Sequence, residues 1–577
     1  MRYKALVYFF SIIFIADLFY MQVIKHSESS RMAMKNIVRV EPLPASRGVI
    51  YDRDGNILAE SYPVFMLLVY PALFGKEQRD FLLKTGIVSE ELFKRKYKRK
   101  YSVIRMKRLS REEVAMIEEN CDKLPGVRVK IEPVRFYAYD SITSHVLGYT
   151  GEISEDEISQ KKLPLQRGAI IGKRGVERRY DEFLRGVDGV EYWKVDALGR
   201  FIGKAEGIKD IPPVKGADAY ITIDIKLQRY VDSLFSRYRK GAAVAINPST
   251  GEILLYYSKP GFPVNEIVYH GNDLIWKDLV SSPDGPLFDR VLKGQYPPGS
   301  IFKVITAAIG LKEGIVNEHT RFKPCNGGIY IGNKYMACWS KHGSLDLIDA
   351  IIRSCDVYFY QLGMNIGLSL FSKDARELGF GRPTGVDMDG EKPGLIPDSA
   401  WFNAFYGRRN WGKGVVANLA IGQGEILVTP LQVVKFFAGL VNGGKAPVPY
   451  IVKKIVNNRG EVIYSHKNEY EQLLVDTSVL SLLKKATIGV VENPEGTAHW
   501  IRLPDIVIGG KTGTAQNPHG EDHSLFVGYA PAEKPEIVVF VVVENAGHGS
   551  TVAAPIVARI IKRYIEERSQ LCLKRNM

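Results

Sequence analysis

Long apolar runs, internal repeats and cysteine are all scarce in this sequence of 577 residues. Only one run is long enough to cross a membrane, which excludes a receptor with several membrane spans. No internal repeat is evident, and the five cysteines include no C-x-x-C pair, so the knuckle of many zinc modules is missing. The hydrophobic fraction of 45% is ordinary for a folded protein, and the length predicts roughly three to four domain-sized units.

Acidic residues are outnumbered in this chain. There are 64 Asp and Glu against 78 Lys and Arg, which gives a net charge of +14. Such an excess is typical of proteins that meet nucleic acid, an anionic membrane surface or an acidic polymer. Composition alone does not choose among the three.

The N-terminus does choose, because it predicts a membrane anchor. An apolar run from Ala5 to Ile24 follows Arg2 and Lys4 and is interrupted only by Asp17. About 20 residues cross a bilayer as a helix, and cationic flanks stay on the cytoplasmic side. The run ends in bulky residues, which favours an uncleaved anchor over a signal peptide. The rest of the chain is therefore expected outside the cytoplasm, which excludes nucleic acid as a partner. Asp17 predicts a contact with an integral-membrane partner or a side chain that reaches the outer interface.

The remaining chain divides into an accessory part and a second, larger part. Asp54 and Gly55 lie between short apolar segments and predict a hairpin turn. A basic run at 93–101 indicates a solvated helical face more than a site for an acidic partner. The sequence predicts a cytoplasmic tip with a transmembrane anchor at residues 1–25 and an elongated accessory domain at 26–215. An α+β domain at 216–566 and a C-terminal tail at 567–577 follow.

Residues after about 217 predict an α+β domain. A strand runs into an amphipathic helix, and two apolar segments joined across Asn247–Gly251 predict an antiparallel pair. A second hairpin is predicted at 524–545, followed by a helix. The domain has predicted strands at both ends and a long helical segment between them. This order favours an antiparallel sheet that is flanked by helices and is completed by strands distant in sequence.

The segment "YPPGSIFKVITAAIGLKEG" places Ser300 and Lys303 on one face of a predicted helix. The helix is apolar on all sides, which is typical of a buried helix. A serine hydroxyl needs a base beside it to become a nucleophile, and a lysine serves as that base when it is desolvated. The alternative interpretation makes Ser300 a helix cap and Lys303 a surface residue.

Two further motifs favour the catalytic interpretation. "IIRSCDVYFY" places Ser354 and Asp356 two residues apart, and "VIGGKTGTAQ" places Lys511 and Thr512 on a predicted strand. S-x-x-K, then S-x-N or S-x-D, then K-T-G in that order is the signature of penicillin-binding proteins and serine β-lactamases. One such match is common by chance, whereas three in order across one domain are specific.

The sequence resembles the class B penicillin-binding proteins along almost the whole chain. "SRGVIYDRDGNILAES" and "GKRGVERRYDEFLRGVDG" resemble blocks of the pedestal, or dimerisation-like, domain of that family, and "LAIGQGEILVTPLQ" resembles its transpeptidase domain. The elongation branch, similar to penicillin-binding protein 2, fits best because Asp356 replaces the usual asparagine. This departure removes an amide donor and leaves the contact of that motif with substrate open.

The resemblance implies a role for each motif residue. Ser300 would attack the penultimate D-Ala carbonyl of a peptidoglycan stem pentapeptide, Lys303 would take its proton, and Ser354 would relay a proton to the departing D-alanine. Lys511 would supply positive charge beside the substrate carboxylate, with Thr512 and Thr514 as donors to it. Gly513 would let the ligand approach the backbone closely. The backbone N–H groups of Ser300 and Thr514 would form the oxyanion hole.

The resemblance also implies an activity and partners. The chain would be a membrane-anchored serine D,D-transpeptidase of cell elongation that needs no cofactor for catalysis and is acylated by β-lactams. No glycosyltransferase domain of its own is visible in the sequence. A D,D-carboxypeptidase side activity is compatible with the same site. Its expected partners are a polytopic glycosyltransferase and a periplasmic scaffold. The alternatives are a division-type transpeptidase, a non-catalytic β-lactam-binding scaffold, and a β-lactamase, for which no deacylating glutamate is identifiable.

Three of the five cysteines cluster around the second motif. Cys325, Cys338, His342 and Cys355 have the pattern C-x12-C-x3-H-x12-C. This set suits a structural zinc ion with tetrahedral Cys₃His ligation. The competing interpretation is a disulfide between Cys325 and Cys338 with Cys355 as a buried thiol, since the domain is expected outside the cytoplasm.

Overall fold

The computed structural model describes residues 2–25, 38–96, 103–160, 168–196, 201–270, 273–408, 410–517 and 520–575. Its contacts divide the chain into two compact units that alternate along the sequence. The first comprises Met1–Gly48, Ser61–Phe136 and Arg185–Ala217, and the second comprises Val49–Glu60, Tyr137–Leu184 and Asp218–Met577. Two segments of the predicted accessory domain, 49–60 and 137–184, therefore belong by their contacts to the second unit.

The N-terminal helix fits a single-pass membrane anchor. An α-helix at Arg2–Phe19 continues as a π-helical turn at Tyr20–Ile24. Its stretch Leu6–Ile24 has a mean hydropathy of 1.9, and none of it is buried against the protein. A helix with apolar side chains exposed all round is stable in hydrocarbon and not in water, so this helix is long and apolar enough to be the predicted anchor.

The first unit has its own apolar core. The strand Ile57–Val69 pairs with Ile104–Arg108 and with Val127–Tyr137. Leu67, Leu82 and Met106 are among the fully buried residues of this core. The helices beside these strands are Lys76–Lys84, Glu90–Lys96 and Arg111–Glu119. A second antiparallel sheet of this unit contains Val38–Leu43, Gly189–Val195 and Phe201–Lys204. The basic run at 93–101 begins on the second of these helices, and residues 97–101 lie outside the described residues.

The second unit is built around a five-stranded antiparallel sheet. Its spatial order is Ile253–Lys259, Gly241–Ile246, Ile537–Val543, His523–Ala530 and Gly509–Ala515. The residues of the three central strands are almost all buried, because helices cover both faces of the sheet. Both hairpins predicted for this sheet are confirmed, and so is its closure by elements that are distant in sequence. The final helix, Ala553–Arg575, continues into the segment assigned to the tail.

Helices fill the middle of the second unit, as the sequence predicts. The longer ones are Ile225–Leu234, Asp273–Ser281, Phe302–Lys312, Asp356–Ile366, Leu368–Glu377, Ser399–Tyr406, Pro430–Val441 and Thr477–Glu492. The shorter ones are Ser144–Leu147, Glu155–Gln160, Gly175–Arg179, Asp181–Leu184, Val264–His270, Leu347–Ile352 and Val415–Ala420. The remaining strands are Ile50–Tyr51, Thr150–Glu152, Ile170–Gly172, Asp218–Ile221, Gly328–Ile331, Lys334–Ala337, Lys445–Pro447, Val452–Val456, Val462–Ser465 and Tyr470–Gln472.

The helix Phe302–Lys312, called the serine helix below, lies in the core of this unit. Nine of its residues are buried, from Phe302 to Gly310. The Phe302 ring packs against the rings of Phe371 and Phe380, with centroids 5.8 and 5.3 Å away. Close packing of Phe302 therefore holds the start of the helix, which also carries Lys303.

Candidate active site

Ser300 lies in a tight turn immediately before the serine helix. Residues Gly299–Ile301 form a single 3₁₀ turn, so the α-helix begins at Phe302, two residues later than the sequence suggests. Gly299 has φ of +54°, and a Cβ there would lie 2.5 Å from the carbonyl oxygen of Thr514. Only glycine fits such a conformation at so short a distance. The turn therefore brings Ser300 directly beside the strand that carries Thr514.

Lys303 is fully buried, and its nitrogen is surrounded by three oxygen acceptors of Asp356 and Ser354. Its Nζ lies 2.7 Å from Oδ1 of Asp356 and donates to the carbonyl oxygen of Ser354 at 2.7 Å and to Ser354 Oγ at 3.1 Å. An ammonium has three donors, and these three acceptors satisfy them. Burial raises the pKa of Asp356, and the nearby Lys303 charge opposes that rise. The sequence did not predict this ion pair, because the resemblance gave Asp356 no partner.

Ser354 occupies a strained position between two lysines. Its φ is +54°, in a region that costs a non-glycine residue free energy and that is enriched at functional sites. Its Oγ accepts from Lys303 and, at 2.9 Å, from Nζ of Lys511. A hydroxyl oxygen has two lone pairs. Because both are used by the lysines, the O–H of Ser354 is left to donate to a third group.

Lys511 lies on the edge strand Gly509–Ala515 and is fully buried. Burial, and next the charge of Lys303, hold the pKa of Lys511 well below its ordinary value. Its Nζ also approaches Oγ1 of Thr512 at 3.3 Å, and that hydroxyl lies 3.0 Å from Oγ1 of Thr497. One continuous hydrogen-bonded cluster thus contains Lys303, Ser354, Asp356, Lys511 and Thr512.

Backbone contacts bring Gly513 and Thr514 against the nucleophile turn. A Cβ on Gly513 would lie 2.8 Å from the carbonyl oxygen of Pro298, so the strand and the turn touch without side chains between them. The Thr514 carbonyl accepts from Nε2 of Gln423 at 2.8 Å. Gln423 and Thr497 were not among the predicted site residues. The "IGQG" segment was available as a signal for the first, but only as part of the family resemblance.

Cys325, Cys338, His342 and Cys355 form a compact group, called the cysteine cluster below. Their ligand atoms all lie within 4.8 Å of one another, and the three cysteines are free thiols. Hydrogen bonds from Cys355 and His342 hold the pKa of Cys338 below its usual value. The backbone N–H of Asp356 donates to Sγ of Cys338 at 3.3 Å. The cluster therefore braces the backbone on which the second motif lies.

This arrangement suits acyl transfer through a serine. A hydroxyl lies three residues before a buried lysine, and a second hydroxyl lies between two lysines. Two buried lysines face the one carboxylate of Asp356, and the lowered pKa of Lys511, due first to burial and then to the Lys303 charge, reflects that shortage of negative charge. Such a site attracts a substrate that ends in a carboxylate.

The family comparisons agree with this chemistry. Residues 241–562 match the family described as penicillin binding protein transpeptidase domain, and residues 42–221 match the family described as penicillin-binding protein dimerisation domain. The peptidoglycan D,D-transpeptidase MrdA of Acinetobacter baumannii is 35% identical over 92% of this chain and 82% of the relative. The MrdA protein of Escherichia coli K12 is 29% identical over 95% of this chain and 92% of the relative.

Solved structures give the same result. The chain is similar to the PBP2 of Helicobacter pylori in a complex with MreC, with a TM-score of 0.79 and 27% identity over 92% of this chain and 99% of that one. It is also similar to Pseudomonas aeruginosa PBP2 in complex with WCK 5153, with a TM-score of 0.70 and 30% identity over 91% and 96%. The chain belongs to the class B penicillin-binding proteins, and within them to the PBP2-like peptidoglycan D,D-transpeptidases.

Proposed function

We propose that Ser300 is the nucleophile of the transpeptidase and forms the acyl-enzyme. The observation that carries this proposal is the buried cluster that joins Lys303, Ser354 and Lys511 one helical turn from Ser300. Ser300 attacks the carbonyl of the penultimate D-Ala of a stem pentapeptide. Lys303 acts in its neutral form: its nitrogen accepts the Ser300 proton, and the ammonium that results is stabilised by Asp356 and by the two oxygens of Ser354.

Ser354 delivers a proton to the departing D-alanine. Its oxygen accepts from Lys303 and from Lys511, which leaves its own O–H directed to a third group. The proton that leaves Ser354 is replaced from Lys303, which took it from Ser300. The C–N bond of the terminal D-alanine breaks as the amine nitrogen gains this proton, and the acyl group stays on Ser300.

The third motif holds the substrate in place. The terminal carboxylate of the substrate favours protonation of Lys511, which then supplies positive charge beside it. The hydroxyls of Thr512 and Thr514 donate to the same carboxylate, while Gly513 permits close approach. The backbone N–H groups of Ser300 and Thr514 stabilise the oxyanion. Removal of one such donor costs about 10²–10³ in rate in other enzymes. An amine of a neighbouring stem then attacks the acyl-enzyme, restores the Ser300 hydroxyl and forms the crosslink.

The experiment supplies a D-Ala-D-Ala stem pentapeptide to the full-length protein in detergent and follows release of D-alanine with the mass of the intact protein. The proposal predicts D-alanine release with a transient acyl adduct in the wild-type protein and neither in Ser300→Ala. Thr306→Ser is the matched control on the same helix, since Thr306 is buried but bonds only to backbone carbonyls. Adduct formation in Ser300→Ala contradicts the proposal.

We further propose how the chain is oriented in the membrane, where its domains begin and end, and which partners it assembles with. The N-terminus is cytoplasmic, residues 26–215 form the pedestal and residues 216–566 form the transpeptidase domain on the outer face of the membrane. The similarity to a PBP2 solved with MreC supports an elongation complex with a periplasmic scaffold, and Asp17 supports contact with a polytopic glycosyltransferase. Proteolysis of sealed spheroplasts tests the orientation, because it must remove the transpeptidase domain from outside and leave the N-terminus protected.

We also propose that the cysteine cluster holds a structural zinc ion. Tetrahedral ligation at ~2.3 Å by sulfur places the sulfur atoms ~3.8 Å apart, so ligand atoms within 4.8 Å need to move by less than about 1 Å. The lowered pKa of Cys338 favours its thiolate, the form that binds metal, while the hydrogen bond with Cys338 raises the pKa of Cys355. His342 presents Nδ1 to Cys325 and Cys338 at 3.6 and 3.5 Å. Bound zinc would hold the loops around Ser354 and take no part in the reaction.

Metal content and thiol titration separate zinc from a disulfide. The proposal predicts about one zinc per chain in the protein purified without added metal, and loss of that zinc in Cys325→Ser. Cys121→Ser is the control, because Cys121 is exposed and lies in the other unit. A metal-free protein whose mass shows two hydrogens lost between Cys325 and Cys338 contradicts zinc and supports the disulfide.

A further inference from the structure

A hairpin beside the active site presents aromatic side chains that the reaction does not use. It consists of the strands Gly328–Ile331 and Lys334–Ala337 and is called the tyrosine hairpin. Tyr330 and Tyr335 are directly paired across it and are 70% and 52% exposed, with ring centroids 5.2 Å apart. Large aromatic side chains exposed together mark a binding surface more often than a chance arrangement.

This hairpin is connected to the catalytic cluster. Trp339, two residues beyond its second strand, is 65% exposed and donates from Nε1 to the carbonyl oxygen of Ser354 at 3.2 Å. The Tyr360 hydroxyl donates to the carbonyl oxygen of Ala337 at 3.0 Å, which fixes the end of the second strand. The aromatic surface is therefore joined to the site through two hydrogen bonds and a few residues of chain.

The Tyr335 ring is already held against the backbone of its own hairpin before any ligand binds. A Cβ on Gly328 would lie 2.3 Å from the Tyr335 ring, so the ring lies across a backbone that has no side chain. A ring placed in this way loses little further freedom when a ligand stacks on it. Preorganised surfaces bind better for that reason.

The segment around the hairpin is cationic. No acidic residue occurs between Glu318 and Asp346, whereas Lys323, Lys334 and Lys341 lie in that interval and are all exposed. Exposed aromatic rings surrounded by lysines suit a ligand that has both flat C–H faces and carboxylates. The negative face of an aromatic ring attracts polarised C–H groups, and the lysines attract the carboxylates.

We propose that the tyrosine hairpin binds the glycan strand of peptidoglycan close to the peptide under attack. This inference rests on the proposed function, since it adds a polymer-binding surface to the same site. Sugar rings stack on Tyr330 and Tyr335, and Lys334 lies beside the carboxylates of the attached peptides. The hairpin thereby distinguishes polymeric substrate from a small acylating molecule, which reaches Ser300 without touching it.

The test compares the double variant Tyr330→Ser/Lys334→Glu of the full-length protein with the wild type. The matched control is Arg459→Glu/Ile463→Ser, because these residues are exposed on another hairpin of the same unit, formed by Val452–Val456 and Val462–Ser465 at the edge of a larger sheet. One assay measures acylation by a fluorescent penicillin. The other measures co-sedimentation with purified, insoluble peptidoglycan at two salt concentrations.

We expect the hairpin variant to be acylated within about twofold of the wild-type rate and to lose at least fivefold in peptidoglycan binding. The wild-type binding should weaken with salt, as lysine–carboxylate contacts do, and the control variant should match the wild type in both assays. Unchanged peptidoglycan binding by the hairpin variant overturns the inference. If the double variant is poorly acylated, the single variant Lys334→Glu, which keeps both tyrosines, is measured in the same two assays. Unchanged peptidoglycan binding by that variant then overturns the inference. A wild-type protein that binds peptidoglycan but is not acylated contradicts the proposed function and leaves the hairpin inference standing.

Discussion

Lys303 and Asp356 form an ion pair inside the protein, with 2.7 Å between the ammonium nitrogen and a carboxylate oxygen. Lys303 has no solvent exposure, and the Asp356 side chain is 16% exposed. Because the same ammonium also donates twice to Ser354, the pair links the first and second motifs directly. The aspartate that distinguishes this sequence from the common asparagine therefore acts as the counter-ion of the lysine proposed as the base.

Removal of Asp356 should destabilise the protein. Asp356→Ala leaves a buried ammonium without its charge partner, which typically costs about 3–5 kcal/mol. Asp356→Asn keeps an acceptor oxygen for Lys303 and should cost less. Urea unfolding measures both variants, and a loss below about 1 kcal/mol in Asp356→Ala would show that the pair contributes little.

Lys303→Arg should not support acylation, although it keeps a positive charge. A guanidinium is not deprotonated at any pH at which the protein is folded, so it cannot accept the proton of Ser300. We expect the acylation rate by penicillin to fall at least about 10²-fold, the lower end of the effect of general base catalysis. Lys312→Arg is the control on the same helix, because Lys312 pairs with Asp374 and Glu377 away from Ser354. Acylation within tenfold of the wild type in Lys303→Arg would rule out Lys303 as the base.

Lys511 should make stability rise with pH. Its pKa is well below the ordinary value in the folded protein, because burial and the charge of Lys303 oppose its protonation. The unfolded chain binds that proton up to about pH 10.4, so between the two pKa values the unfolded state holds more protons. The free energy of unfolding then rises with pH across this interval.

Lys511→Met removes this titration and tests the sign. We expect the variant to be at least as stable as the wild type at pH 7, to show a smaller rise in stability between pH 7 and 9.5, and to have lost acylation. Urea midpoints at several pH values measure the difference in slope. A steeper rise in the variant than in the wild type would contradict the lowered pKa.

Gly422 should be essential to the position of the nucleophile turn. Its φ is +72°, and an added Cβ would lie 2.2 Å from the carbonyl oxygen of Gly299. Gly422→Ala must therefore displace the turn that carries Ser300, and we expect at least a tenfold loss in acylation rate. Gly424→Ala is the matched control, since φ there is +77° but the nearest atom is 3.6 Å away. It should cost only the backbone strain of about 1–2 kcal/mol. Equal acylation rates in the two variants would contradict the contact.

The sequence predicts the sheet and the catalytic motifs because both are local signals. The strands Gly241–Ile246 and Ile537–Val543 are apolar along their whole length and are bounded by turn residues, so their existence needs no tertiary information. The three motifs are read from short spacings, and the family resemblance orders them. The start of the serine helix was placed two residues early, because Ser300 and Ile301 suit an α-helix equally well until Thr514 packs against Gly299.

Contacts between residues that are far apart in the chain could not be predicted from the sequence. The ion pair between Lys303 and Asp356 joins residues 53 positions apart, and the contact of Gln423 with Thr514 joins residues 91 apart. The division of the chain into alternating segments depends in the same way on contacts across the fold. Trp339 reads as a surface residue until its indole is seen to contact Ser354.

The most direct test of the account is the mass and the site of the penicillin adduct. The full-length wild-type protein is acylated with a penicillin, digested and sequenced by mass spectrometry, beside Ser300→Ala and Ser354→Ala. The account predicts a stable adduct on the peptide that contains Ser300 in the wild type, none in Ser300→Ala, and a slower adduct at the same residue in Ser354→Ala. An adduct on any other serine, or a folded wild-type protein that stays unmodified, would contradict it.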